Sequence, residues 1–251
     1  MNRAYWDNLA EDYDEQIFSV LRSDDTGKIA ECIAQHACPT KTAADLGCGP
    51  GQITPLLAQS FRHVHACDIS QGLLQSARTR CNDHSNVDFH RVDLTNRKAP
   101  PFEPVDFVLC VNVLLTADLE LRERLWESIT SLVGEDGTLL LVLPSLESAL
   151  YTNFRRVDSH VRSGSSGEEA VSAGLDHEED NVALLEQGVR GIDGVKTKHF
   201  LREEIIVQLA DRSLRVTEIS KITYDWTTEF AEPPEWLGPP HPWNWLVIAK
   251  R

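Results

Sequence analysis

Three glycines and three aspartates hold the chemistry that can be read from this sequence. Gly47, Gly49 and Gly51 alternate within Asp45-Leu46-Gly47-Cys48-Gly49-Pro50-Gly51-Gln52, between the apolar Ala43-Ala44 and the run Ile53-Thr54-Pro55-Leu56-Leu57-Ala58. A short buried strand that breaks into alternating glycines and then into a helix lets the backbone approach a ligand closely and points a helix N-terminus at it. Asp45 closes that strand, Asp68 closes the segment His63-Val64-His65-Ala66-Cys67, and Asp93 follows a third run over 87–92. Ligands of open α/β sheets bind beyond the C-terminal strand ends, so three carboxylates and one glycine turn face a single crevice. A carboxylate at Asp68 can accept hydrogen bonds from both hydroxyls of a ribose. Two of the aspartates also have a plainer reading: Asp45 as a cap on the glycine turn, Asp93 as a cap on the loop that follows it.

The elements that must position these residues alternate regularly. Strands are expected at 42–46, 63–68, 87–92, 105–111 and 137–143, with helices at 52–59, from Ser70 through Ala77, and at 120–132. Pro55 is tolerable because it lies in the first turn of its helix. The 105–111 run, Val-Asp-Phe-Val-Leu-Cys-Val, is nearly all apolar, as a strand covered on both faces should be. Strand–helix repetition of this kind predicts a parallel sheet with right-handed crossovers. A helix over 202–210 and strands over 215–223 and 245–250 follow; the last two have no helix between them and are expected as an antiparallel pair at one sheet edge. The fold class is therefore α/β, a Rossmann-like sheet of seven mostly parallel strands with helices on both faces.

Two segments fall outside this alternation. Residues 3–18 place Trp6, Leu9, Ala10, Tyr13 and Ile17 at helical spacing, with Tyr5, Trp6 and Tyr13 as candidate cleft walls. A second helix is expected over 26–36. Residues 145–200 interrupt the pattern; Ser163-Gly164-Ser165-Ser166-Gly167 has a flexible composition and 176–180 an acidic one, so this stretch reads as a lid or a disordered loop. The expected organisation is one domain over 1–251: N-terminal helices or cap to 40, core over 41–144, insertion over 145–200, and C-terminal strands of the same sheet beyond it.

Composition narrows the partners. The net charge is −15, from 24 Lys and Arg against 39 Asp and Glu, with only Arg155-Arg156 and 196–198 as small basic clusters, so nucleic acid is not expected. The six cysteines, 32, 38, 48, 67, 81 and 110, form no Cys-x-x-Cys pair, and no bound metal is expected. Free thiols in core strands suit a reducing cytoplasm. No apolar run is long enough to span a bilayer, and neither a membrane partner nor an export signal is expected.

Taken together, Asp45-Leu46-Gly47-Cys48-Gly49-Pro50-Gly51, Asp68-Ile69-Ser70, Asp93-Leu94, the strand ending in Val111-Asn112 and the final strand resemble, in this order, the motifs of class I S-adenosylmethionine-dependent methyltransferases. The resemblance implies that Gly47, Cys48, Gly49 and Gly51 wrap the methionine part of S-adenosylmethionine, with Asp45 near its ammonium. It implies that Asp68 holds the ribose hydroxyls and that Ile69 packs on the adenine. Asp93 accepts from the adenine amino group, the Leu94 N–H donates to a ring nitrogen, Val111 or Asn112 lies near the sulfonium, and Tyr13 closes the cleft. Carboxylates suit a cation without a pyrophosphate, whereas a dinucleotide phosphate would be repelled. The nicotinamide alternative also wants a third glycine where Gln52 stands.

The implied activity is in-line methyl transfer to a small-molecule acceptor, leaving S-adenosylhomocysteine. Two alternatives stay open: a protein side chain or terminus as acceptor, and a binding protein that performs no transfer. Should the acceptor need deprotonation, His199 is the candidate base, ahead of His160 and His241. His63 and His65 read as alternating strand residues rather than ligands. Trp226, Trp236, Trp243 and Trp245 read first as packing.

Overall fold

The computed structural model describes residues 3–10, 13, 20–24, 26–96, 100–175, 182–192 and 194–251. Its elements are α1 (Arg3–Leu9), α2 (Val20–Ser23), α3 (Lys28–His36), β1 (Cys38–Leu46), α4 (Thr54–Ser60), β2 (Phe61–Asp68), α5 (Gln71–Arg80), β3 (Val87–Arg91), β4 (Val105–Val111), α6 (Leu119–Ser131) and β5 (Val133–Pro144). There follow α7 (Leu146–Arg162), α8 (Gly167–Gly174), α9 (Val182–Leu185), β6 (Val189–Ile192), β7 (Val195–Lys198), α10 (Arg202–Ala210), β8 (Arg215–Thr223) and β9 (Trp243–Lys250). Seven strands form one sheet in the order β3-β2-β1-β4-β5-β9-β8. Every neighbouring pair from β3 to β5 is parallel, and β9 runs antiparallel to both β5 and β8. The seven-stranded, mostly parallel sheet is as expected, with one refinement: β9 alone is reversed, inserted between β5 and the edge strand β8.

Strand alternation supplies two cores. Phe107 and Leu109 of β4 face Ile29, Ile33, Leu57 and Val64, while Val108 and Cys110 face Trp126, Ile129, Leu139 and Leu141. Leu109 and Leu141 are wholly buried; burying each such side chain contributes roughly 1.5–3 kcal/mol. β1 and β5 extend further toward their N-termini than their apolar runs indicate, because Cys38 already pairs with Phe61 and Val133 with Val105 through the backbone. Pro55 does lie in the first turn of α4.

The described part of 145–200 is built into helices and a hairpin rather than a disordered loop. Ser145 caps α7 by accepting from the Ser148 N–H, Ser166 forms a reciprocal capping box with Glu169 at the start of α8, and a Cβ at Gly174 would lie 2.8 Å from the backbone of Val157, so the two helices pack closely. β6 and β7 form an antiparallel hairpin. That hairpin is stitched to the strand ends: Lys198 N donates to Leu115 O, Phe200 N to Pro144 O, and Leu146 N to Phe200 O. The acidic run at 176–180, and Ile17 in the N-terminal pattern, lie outside the described residues. Among the described residues no helix is long and apolar enough to cross a membrane.

Candidate functional site

The reversal of strand order falls between β1 and β4, and there the sheet opens into a cleft of about 1800 Å³. Gly47, Gly49 and Gly51 all adopt positive φ (69°, 54° and 77°). Side chains there would collide: a Cβ on Gly47 would sit 2.4 Å from Val113 Cγ2, and one on Gly51 would sit 2.9 Å from Ala77 Cα. All three glycines are thus a conformational requirement of the turn, and Gly51, against the Ala77 backbone, is a steric one as well.

Asp68 sits at the centre of the turn. Its Oδ2 accepts from the Gly49 N–H at 3.0 Å and its Oδ1 from the Ser70 N–H at 2.8 Å, while only 9% of the residue is exposed. Each carboxylate oxygen keeps a lone pair for a further donor. Asp45 is more deeply buried and accepts from Thr54 Oγ1 at 2.7 Å. Burial, partly offset by the Thr54 bond and reinforced by the negative charge of Asp68, pushes its carboxyl up to about 7. Burial likewise raises Asp68 against the pull of the Ser70 and Gly49 N–H groups. A wall of two carboxylates that burial holds above their ordinary range favours a cation over an anion.

The structure brings the other sequence-derived residues to the same cleft: Tyr13, Cys48, Ile69, Asp93, Leu94, Val111 and Asn112 all line it. Tyr13 Oη would lie 3.3 Å from a Cβ on Gly49, so its ring rests directly on the turn. Asp93 Oδ1 accepts from both the N–H and the hydroxyl of Thr95, so the loop-capping role and the cleft position coexist. Asn112 holds φ 52°, and its buried Oδ1 has no hydrogen-bond partner among the described residues. An unsatisfied buried acceptor beside two carboxylates again fits a donor-bearing, positively charged ligand.

Several functional positions were not singled out in the sequence. Asp7 of α1 accepts from Ser70 Oγ at 2.7 Å and from the Gln71 N–H at 3.1 Å, docking the aromatic N-terminal helix on the start of α5. The signal was present in Ser70, a helix-capping residue type directly after a strand end. On α7, Ser148, Thr152 and Arg156 line the cleft at steps of four, a polar stripe on one helix face. Arg190 of β6 joins them, within 3.4 Å of Asn153 Oδ1, and Arg156 Nη2 lies 3.5 Å from Glu229. Burial raises the Glu229 carboxyl against the pull of both arginines.

His199 lines this second half of the cleft, 7% exposed, its N–H donating to Gly188 O and its Nδ1 lying 3.2 Å from Thr197 O. Among the described wall residues neither His160 nor His241 appears. Trp243 lines the cleft, Trp226 and Trp245 are buried in an aromatic cluster with Tyr151, and Trp236 lies under Arg155 and Arg162.

A cleft at the sheet's switch point, with carboxylates at three strand ends and a glycine turn beneath, defines the class: a Rossmann-like fold of the methyltransferase type. Solved structures agree on the fold. A SAM-dependent methyltransferase from Methanosarcina mazei is 16% identical with a TM-score of 0.62, covering 88% of this chain and 96% of its own. Magnesium protoporphyrin IX methyltransferase from Synechocystis, solved with bound SAM, is 15% identical with a TM-score of 0.59, covering 99% and 94%. Residues 43–137 of this chain match the family described as a methyltransferase domain. Trans-aconitate 2-methyltransferases from Rhizobium rhizogenes (33% identical over 106 residues) and Sinorhizobium fredii (31% over 108) resemble it over 41% and 42% of its length. The chain spans about two fifths of these curated relatives, 38% and 39% of their lengths.

Proposed function

We propose that this chain, acting as one domain over 1–251, transfers a methyl group from S-adenosylmethionine to a small-molecule acceptor. The observation that carries the reading is Asp68, fixed by the Gly49 and Ser70 N–H groups beneath a turn whose three glycines all hold positive φ. Its orientation is set before any ligand arrives, leaving lone pairs for the two ribose hydroxyls. Asp45 and Asn112 Oδ1 would face the ammonium, Gly47 to Gly51 the methionine chain, Ile69, Asp93 and Leu94 the adenine, and Val111 the sulfonium; Tyr13 would close the turn. When bound, S-adenosylmethionine supplies a methyl group on a positively charged sulfur and departs as S-adenosylhomocysteine.

The remaining work falls to the protein's own geometry. Holding two reactants in a near-attack arrangement can supply about 7–11 kcal/mol of a barrier. The α7 stripe and the β6–β7 hairpin would hold the acceptor. Arg156 and Arg190 on that wall suit an acceptor bearing a carboxylate, as trans-aconitate does in the relatives named for it. His199, with Nδ1–H donating to Thr197 O, would present Nε2 as the base for an acceptor that must lose a proton. The charge of −15 supports a partner other than nucleic acid, and five buried free thiols support a reducing, cytoplasmic setting.

Calorimetry with S-adenosylhomocysteine tests the cofactor half: the wild-type chain binds it and Asp68→Ala loses at least about a hundredfold in affinity, the loss of two charge-assisted hydrogen bonds. A wild-type chain that ignores this ligand overturns the reading. Labelled S-adenosylmethionine with small carboxylates and cell extract tests the acceptor: label in small metabolites supports it, and label confined to protein bands overturns the small-molecule part.

A further inference from the structure

The crossover between β3 and β4 carries no helix among the described residues, and the face of β2–β3 beneath it is built differently from the rest of the sheet. Alternation puts His63 and His65 of β2 on that face, and Asp88 and His90 of β3 beside them; His65 pairs in register with Asp88, and Cys67 with His90. Alternation, offered by the sequence as the reason not to read these histidines as ligands, is what gathers them. His63 Nε2 lies 3.1 Å from Asp88 Oδ2, and His65 Nδ1 lies 3.0 Å from His90 Nε2. Phe102 stacks on His65 at 4.3 Å between centroids, nearly coplanar at 8°, and lies 5.3 Å from His90, forming an apolar wall.

We propose that His63, His65 and Asp88 bind a divalent transition-metal ion of the zinc class at the outer face of the β2–β3 edge. Their ligand atoms already lie within 4.8 Å of one another, one from each residue, so side-chain rotations alone bring them around one ion. Two imidazoles and a carboxylate are a borderline donor set that suits zinc, and three protein ligands leave a fourth position for water. His90 acts as a supporting residue. With Nδ1–H of His65 donating to His90 Nε2, the tautomer of His65 is fixed and its Nε2 lone pair is directed to the ion, the arrangement in which ligand histidines are commonly held. The ion would tie the five-residue edge strand β3 to β2, whose last residue is Asp68.

Titration of zinc into the full chain, followed by calorimetry, is expected to show one ion bound per chain and a rise in melting temperature. His63→Ala/His65→Ala abolishes both effects, His90→Ala weakens binding by roughly 10- to 100-fold, and His160→Ala changes neither. Circular dichroism and binding of S-adenosylhomocysteine confirm that the variants fold; Asp88→Asn, an exposed and nearly isosteric change, provides the same test should the double variant not fold. Cobalt substitution is expected to give visible d–d bands without the near-ultraviolet band of thiolate ligation. No zinc uptake by the wild type, uptake unchanged in Asp88→Asn and the double variant, or a thiolate band would each overturn the proposal.

Discussion

A carboxylate as deeply buried as Asp45, beside a second one at Asp68, resists ionisation, and the sign of that resistance yields a measurable pH dependence. Its folded value is raised to about 7, well above an unfolded aspartate. No penalty exists below the unfolded pKa; the penalty grows as pH rises from the ordinary aspartate range toward 7 and is complete above it. In the free protein this one group therefore costs stability across that window, and Asp45→Asn is expected to flatten it. A ligand ammonium placed beside Asp45 reverses the preference by favouring the ionised form. Affinity for S-adenosylhomocysteine should then rise with pH by up to about tenfold per unit below 7 and level off above it. Calorimetry at about pH 6 and about pH 8 measures this, and an equal affinity at both would show that Asp45 does not face the ammonium.

At the scale of elements, the N-terminal helix is attached by a specific link that its composition does not reveal. Asp7 accepts from Ser70 and Gln71 and lies 3.6 Å from Arg91, and the Ser70 hydroxyl holds its carboxyl below the usual range. Asp7→Ala is expected to free α1 from α5, raising proteolytic cleavage before residue 20 and weakening cofactor affinity several-fold, with the melting temperature nearly unchanged; limited proteolysis with and without S-adenosylhomocysteine measures it. A cleavage pattern like that of the wild type would show that the aromatic contacts of Trp6 and Tyr13 suffice. This attachment shows where sequence reading stops. Strands such as Val105–Val111 were legible because burial on both faces leaves nearly all of their residues apolar, and the glycine turn because three alternating positions of positive φ favour glycine. The β6–β7 hairpin and the α7–α8 pair were not, because backbone bonds to Leu115 and Pro144 and one small residue, Gly174, hold them. Arg156 appeared in the sequence only as half of the small basic cluster Arg155-Arg156 for the same reason: its place on the cleft wall depends on how α7 is rotated against the cleft.

For the molecule as a whole, the two cores and the cleft share one set of reporters, the cysteines. Cys38 alone is partly exposed, and Thr40 hydrogen bonds hold its thiol below the ordinary range; the other five are buried. Burial and the nearby Asp45 and Asp68 push Cys48 and Cys67 well up, so neither is a thiolate in the folded chain. A thiol reagent should therefore modify Cys38 at once, and the remaining five only as the protein opens. Cys48 and Cys67 lie at the glycine turn, joined by the bond from Cys48 N to Cys67 O, whereas Cys32 is a residue of α3 buried in the core with Ile29, Ile33 and Phe107. If the sheet opens as one unit, S-adenosylhomocysteine slows modification of all five buried thiols by the same factor, set by the ligand concentration over its Kd. If the turn opens locally, Cys48 and Cys67 are protected and Cys32 is not. The continuous β1–β4–β5–β9–β8 ladder, with β1 carrying the turn and β8 closing the far edge, favours the first outcome. Mass spectrometry of each cysteine over time separates the two, and Cys48 reacting as fast as Cys38 in the ligand-free chain would show that the turn is not the closed structure its bonds describe.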